Sequence, residues 1–225
     1  MKKILVSNTL SAEEIYALSS FGEVFALPSH AALPSPISSH PDTLFALVAG
    51  KLFTYPDYSE GVAMLNSLGI PFQTVGVCAG KTYPDDAALN CFEINGTVFG
   101  RKKSLAKEIT AAAKSVCDVK QGYAHCSTAV FDGGIISADG GICRAAEANG
   151  INCLKISPGG VVLDGYNCGF VGGACGQIGN NAVFFGDVTS HPDGEKIIGF
   201  AENAGLNVVC LSEGALHDRG GIIVL

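Results

Sequence analysis

No stretch of this sequence is long and apolar. The 225 residues are 48% apolar with a positive mean hydropathy, enough for a sizeable core. Yet no run approaches the ~18 residues that cross a bilayer, which excludes a spanning helix. The N-terminus, MKKILVSNTLSAEE, holds only three consecutive apolar residues, too few for a secretion signal, so a cytoplasmic location is expected. Basic residues are scarce: Lys and Arg number 14 against 21 Asp and Glu, a net charge of −7. The densest basic cluster is Arg101-Lys102-Lys103, which excludes the phosphate-binding stripe of a nucleic-acid partner. Disulfide spacing is missing as well. The nine cysteines are odd in number and form no C-x-x-C pair, so an oxidised framework is not expected. Most stand beside apolar residues, as Cys153 does in NCLKI and Cys210 in VVCLS, the setting of inert core thiols. Cysteine and histidine spacings of a zinc ribbon or finger are absent, and no metal or cofactor is expected. Gly172-Gly173-Ala174-Cys175-Gly176 is followed by no Lys-Ser/Thr, which excludes a phosphate loop.

What the chain has is repetition. Four stretches share a polar opening, a strand, a tight turn and a second strand. They are HPDTLFALVAGKLFTYP from His40, YPDDAALNCFEINGTVFGR from Tyr83, GYAHCSTAVFDGGIISAD from Gly122 and GFVGGACGQIGNNAVFFGD from Gly169. A fifth, EGALHDRGGIIVL, begins at Glu213. A period near 40 residues is the mark of stacked or radial supersecondary units. The expected turns are Ala49-Gly50, Asn95-Gly96, Gly133-Gly134 and Asn180-Asn181; Asn-Gly best tolerates the positive φ of a type I′ turn. Helices are predicted near 11–20, 59–68, 103–116, 140–149 and 194–204. Leu105, Ile109, Ala112 and Val116 recur on one helix face. Ser11 and Glu14 have capping-box spacing, and Asp139 and Asp193 are expected caps. Each helix precedes a short apolar strand: EVFAL, PFQTV, VCDVK, INCLKI and LNVVCL. The fifth hairpin has one strand, Gly221 to Leu225, and Lys3 to Ser7 can supply the other. That pairing hides strand edges and joins the two ends. Two insertions, Ala31–Ser39 and Ser157–Asn167, break the period; the first reads as a loop and the second as a lid or rim.

The whole chain, 1–225, thus reads as a single α/β domain with units opening near 40, 83, 122, 169 and 213. It resembles the pentein, or guanidino-group-modifying enzyme, fold, and most resembles an uncharacterised branch of it. The residues that carry the resemblance are His40-Pro41-Asp42, Tyr83-Pro84-Asp85-Asp86 with Leu89-Asn90, Gly122-Tyr123 with Cys126-Ser127-Thr128, Gly169-Phe170 with Gly172-Gly173, and Asp218-Arg219-Gly220-Gly221. The resemblance implies a five-bladed α/β propeller of ββαβ-type repeats around a central channel, closed by the N- and C-terminal strands. Catalytic members include arginine and agmatine deiminases, dimethylargininases and amidinotransferases. They use a Cys nucleophile, a His acid/base and carboxylates that clamp a planar guanidinium. Their nucleophile lies in the last unit after a glycine-rich turn. Here Gly220-Gly221 leads into Ile222-Ile223-Val224-Leu225, with no thiol.

Among the candidate site residues, Cys126 is the leading thiol, in a polar setting between His125 and Ser127-Thr128; the alternative is that it packs on Tyr123. His40 and Asp42, two apart on a segment expected to be extended, point to one side, so that Asp42 orients the imidazole. The alternative is a turn in which Asp42 caps a backbone N–H. Asp85, Asp86 and Asp218 are candidate guanidinium ligands, Asn90 a neutral hydrogen-bonding one, and His125 and Cys175 further residues of the opening. Arg219 beside Asp218 is an alternative, purely internal partner. Two functions fit: a Cys-dependent hydrolase or transferase acting on a guanidino or amidino small molecule, or a non-catalytic pentein that binds a partner, as a ribosome anti-association factor of this fold does. The expected partner of the first is a cationic small molecule.

Overall fold

A computed structural model describes residues 2–225. The chain opens with β1 (Lys3–Ser7), α1 (Ala12–Ser19) and β2 (Glu23–Leu27), then α2 (Pro41–Leu44), the hairpin β3 (Phe45–Val48) and β4 (Lys51–Thr54), α3 (Ser59–Ser67) and β5 (Phe72–Thr74). The same order returns in β6 (Phe92–Ile94), β7 (Thr97–Gly100), α4 (Lys107–Ala112) and β8 (Ser115–Asp118), and again in β9 (Thr128–Phe131), β10 (Gly134–Ser137), α5 (Gly140–Ala148) and β11 (Cys153–Lys155). After β12 (Val161–Val162) come β13 (Cys175–Ile178), β14 (Asn181–Phe184), α6 (Gly194–Asn203), β15 (Asn207–Cys210), β16 (Leu216–His217) and β17 (Ile223–Val224). The fold is mixed α/β.

Four three-stranded sheets each combine an antiparallel hairpin with a parallel third strand, in the orders β3-β4-β5, β6-β7-β8, β9-β10-β11 and β13-β14-β15. A fifth sheet has the order β17-β1-β2: β17 runs antiparallel to β1 with Ile4 opposite Val224, and β1 runs parallel to β2. Lys3 and Leu225 exchange both backbone hydrogen bonds at 2.9 Å. The first strands of neighbouring hairpins lie side by side, β3 against β6 and β9 against β13. The helix between a hairpin and its parallel strand forms the crossover that parallel pairing needs. Among the described residues, no helix is long and apolar enough to cross a membrane, and all nine cysteines are free thiols.

Local chemistry accounts for most boundaries. Ala49-Gly50 and Asn95-Gly96 both take positive φ at each residue, 51° and 70°, 52° and 77°, the two-residue turn whose twist matches the strands. The other two turns sit one residue earlier than expected. Phe131 faces Gly134, which puts Asp132-Gly133 in the turn; Ile178 faces Asn181, which puts Gly179-Asn180 there, with Gly179 at φ 60°. Ser11 and Glu14 form a full capping box, and Asp139 accepts from Gly141 and Ile142. Asp193 sits at the N-cap of α6 without capping it; its carboxylate instead accepts from the Ser157 N–H and pairs with Lys196. The helix expected over 103–116 is only α4. Val116 leaves the helical stripe because it pairs with Val98 in the sheet, where ladder bonds outweigh a one-residue gain in periodicity.

Candidate functional site

Pro41 at the first helical position starts α2 immediately after His40, the place where its fixed φ and missing N–H cost least. His40 and Asp42 are therefore on a helical turn, not the extended segment expected. Asp42 N donates to Gly220 O at 3.0 Å, which fastens this turn to the C-terminal segment. Gly220 has φ 75°, and a Cβ there would lie 2.3 Å from the Cβ of His40, so only glycine allows the approach. The next partner is Asp218, whose Oδ2 accepts from Phe170 N at 2.9 Å and whose Oδ1 accepts from Gly220 N at 3.0 Å. Gly173 makes room for it: a Cβ there would stand 1.8 Å from Asp218 Oδ1.

His40 Nδ1 lies 3.6 Å from Asp218 Oδ1. The imidazole thus faces Asp218 at a distance beyond a hydrogen bond, and Asp42 does not orient it as expected. Asp42 is 1% exposed, and neither of its carboxylate oxygens has a hydrogen-bond partner. The backbone N–H groups of Asp42 and Thr43 lie near it and favour its charged form, but neither makes a well-formed hydrogen bond. The Cys126 thiol approaches it without a well-formed hydrogen bond. Asn90 locks this junction. Its Oδ1 accepts from His125 N at 2.8 Å and Cys126 N at 3.3 Å, while Nδ2 donates to Asp42 O at 3.0 Å and lies 2.9 Å from Cys126 Sγ.

Burial governs the charges. It raises Asp42, with Asp218 adding to the effect, from 3.8 to about 8. It raises Asp218 to about 6 against the backbone donors that favour its charged form. Burial and then Arg219 lower His40 to about 4, so the imidazole is neutral at pH 7. Cys126 is pushed well above an ordinary thiol by burial, with both carboxylates opposing the thiolate. The resting site therefore holds a protonated thiol, a neutral imidazole and two carboxyl groups competing for protons.

His40, Cys126 and Asp218 line one cavity of 210 Å³, together with Thr43 and Tyr123. Its remaining wall is apolar: Ile37, Leu163, Tyr166, Cys168 and Phe170. The two insertions that break the period meet here. Gly165, at φ 82° in the turn closed by Tyr166 N and Leu163 O, packs on Pro36 of the first insertion. Of these wall residues, Ile37, Leu163, Tyr166 and Cys168 were not signalled by any motif. The position of the insertions beside two unit openings was the only cue.

The other candidates fall elsewhere. Asp86 accepts from Tyr123 OH at 2.7 Å and so stands behind the cavity wall; burial raises it, and the Tyr123 bond opposes that. Asp85 is exposed and outside the cavity, a correction that follows from its place on the outer face of the 85–87 turn. His125 and Cys175 line a separate cavity of 250 Å³ with Thr128. Burial lowers His125 to about 4, and Cys175 donates to Val171 O at 3.2 Å. Arg219 favours the charged form of Asp218 without forming an ion pair with it; its guanidinium is 3.8 Å from Glu14. His30 is a packing residue, stacked on Tyr58 with Nε2 3.5 Å from Asp57. Among the described residues, no group of three His, Cys, Asp or Glu is arranged to hold a metal ion.

Known structures share the fold at low identity. A dimethylarginine dimethylaminohydrolase variant, captured as an adduct with S-methyl-L-thiocitrulline, superposes with TM-score 0.59 at 9% identity over 99% of both chains. An agmatine deiminase from C. jejuni gives 0.53 at 11% identity, over 94% of this chain and 86% of that one. An amidinotransferase of the saxitoxin pathway from Microseira wollei gives 0.54 at 10%, over 94% and 77%. All three have the pentein fold, so the likeness supports that fold here. No curated protein matches the sequence. A family model does match, across residues 5–223, and the chain accordingly belongs to the family of unknown function DUF6873.

Proposed function

We propose that the five three-stranded sheets are blades of one propeller closed by the β17–β1 pairing, and that its 210 Å³ cavity binds a guanidinium or amidinium and transforms it at Cys126. The observation that carries this reading is the fully buried Asp42 carboxyl with two unpartnered oxygens, beside a thiol, next to a second buried carboxyl. A buried acid without partners is costly unless a cation or a proton satisfies it. A planar cation seated there supplies both charge and donors.

Chemistry follows from that charge. In the empty site both carboxylates oppose the thiolate. A bound cation offsets them, and the Cys126 proton passes to neutral His40, which lines the same cavity. The thiolate attacks the central carbon, His40 returns the proton to the departing amine, and water or an acceptor amine releases the product from sulfur. Cys126 is the nucleophile, His40 the acid/base and Asp218, in the lining, the cation ligand; Asp42, buried outside the lining, acts on the cation by charge alone, Asn90 positions Cys126, and Asp86 positions Tyr123.

The alternative is a cation-binding module without turnover. It is favoured by the protonated resting thiol and by the missing thiol in the last unit. One experiment separates the two: 2-chloroacetamidine and neutral chloroacetamide are compared by intact mass and peptide mapping. Selective alkylation of Cys126 by the amidine supports the enzyme. Exposed Cys168 labelled equally by both reagents, with Cys126 untouched, removes it. Protection of Cys168 by guanidinium without Cys126 labelling supports the binding module.

A further inference from the structure

The cavity walls narrow the ligand further, on the reading that the site takes a guanidinium or amidinium. The polar groups of the lining are His40, Thr43, Cys126, Asp218 and the Tyr123 hydroxyl, and Asp42 is buried outside the lining. The rest of the wall is Ile37, Leu163, Tyr166, Cys168, Phe170 and the ring of Tyr123. Aromatic rings beside carboxyls suit a cation with an apolar body. Among the described residues, no Lys or Arg lines this cavity, and His40 is neutral at pH 7.

The cation nearest to hand is Arg219, in an adjoining cavity that shares His40, Leu163 and Asp218. Its Nε is buried without a hydrogen-bond partner, but the charge around it is acidic. Its guanidinium faces Glu14, which is 2% exposed and also holds the capping box of α1. That adjoining cavity adds one further acid, Asp164, to the shared Asp218. A ligand carboxylate entering either space therefore meets more negative than positive charge and loses its hydration.

From this we propose that the ligand is a guanidinium or amidinium on an apolar body that bears no carboxylate. The test is a matched pair differing only in that group, butylguanidine and 4-guanidinobutyrate, titrated calorimetrically into the full chain at pH 7.5. Butylguanidine is expected to bind about tenfold more tightly or better. Tyr166→Ala, at a position 48% exposed at the mouth, is expected to weaken butylguanidine roughly three- to tenfold through lost apolar contact while the fold persists. Equal or tighter binding of the carboxylate compound overturns the proposal and leaves the cation site standing. So does a Tyr166→Ala chain that binds butylguanidine unchanged. If neither compound nor guanidinium itself binds, the cation site falls and this inference with it.

Discussion

Replacing Asp42 by Asn should stabilise the protein, and increasingly so as pH rises. In the fold Asp42 titrates near pH 8 against 3.8 in its ordinary state. The folded chain therefore keeps a proton that the unfolded chain has released. Stability attributable to this residue is greatest below about pH 4, falls as pH rises, and levels off above about pH 8. Each pH unit in that window is worth at most about 1.4 kcal/mol, so from pH 5 to pH 8 the loss is at most about 4 kcal/mol. Structural relaxation and water entry cut such figures, and about 2 kcal/mol is the working expectation. Asp218, raised to about 6, adds a smaller loss between pH 5 and 6. Asn has the shape of Asp and does not titrate. Its new N–H donors cost about 1 kcal/mol if unpaired, at every pH. For a chain of this size, 2 kcal/mol corresponds to about 4–8 °C in Tm. Thermal unfolding of both proteins at pH 5, 6, 7 and 8 is the assay. The Asp42→Asn advantage should widen by that amount from pH 5 to 8, together with loss of guanidinium binding. A gap that stays constant or narrows with rising pH would refute the electrostatic reasoning, since only an ionisable, poorly solvated carboxyl produces the widening.

Other substitutions probe the supports. Gly173→Ala places a Cβ at 1.8 Å from Asp218 Oδ1 and should cost about 2–4 kcal/mol in urea denaturation, with cation binding lost; an unchanged midpoint would mean that Asp218 yields freely. Tyr123→Phe removes the 2.7 Å bond to Asp86 and should cost about 1–2 kcal/mol at pH 7. Because that bond favours the ionised carboxylate, the cost should shrink at pH 4, and a cost that grows on acidification contradicts this. Ser11→Ala breaks the capping box of α1, with an expected loss of about 1 kcal/mol; circular dichroism melts would show it.

Much of this protein was legible one-dimensionally because its determinants are local. Asn95-Gly96 carries its own turn geometry, Ser11 and Glu14 their own cap, and the alternation of hairpin, helix and apolar strand its own order. These depend on a few neighbouring dihedrals and hydrogen bonds. The pairing of the segment after Gly221 with Lys3–Ser7 was also readable, since two apolar edges without partners point to each other. The site was legible only as residue types. His40, Cys126 and Asp218 did belong to one cavity, but their partnership did not follow from spacing. His40 and Asp42 are two apart in sequence, yet the imidazole faces Asp218, 178 positions away. Pro41 turned that segment into a helix, and Gly220, lacking a Cβ, let the C-terminal segment lie against it. Likewise Asp85 and Asp86 are adjacent in sequence but face solvent and protein respectively. His125 and Cys126 open on different cavities. Composition determined the elements and the polar residues at the unit openings. Close packing of the units decided which of those residues share a space, which lose water, and hence which protons they hold.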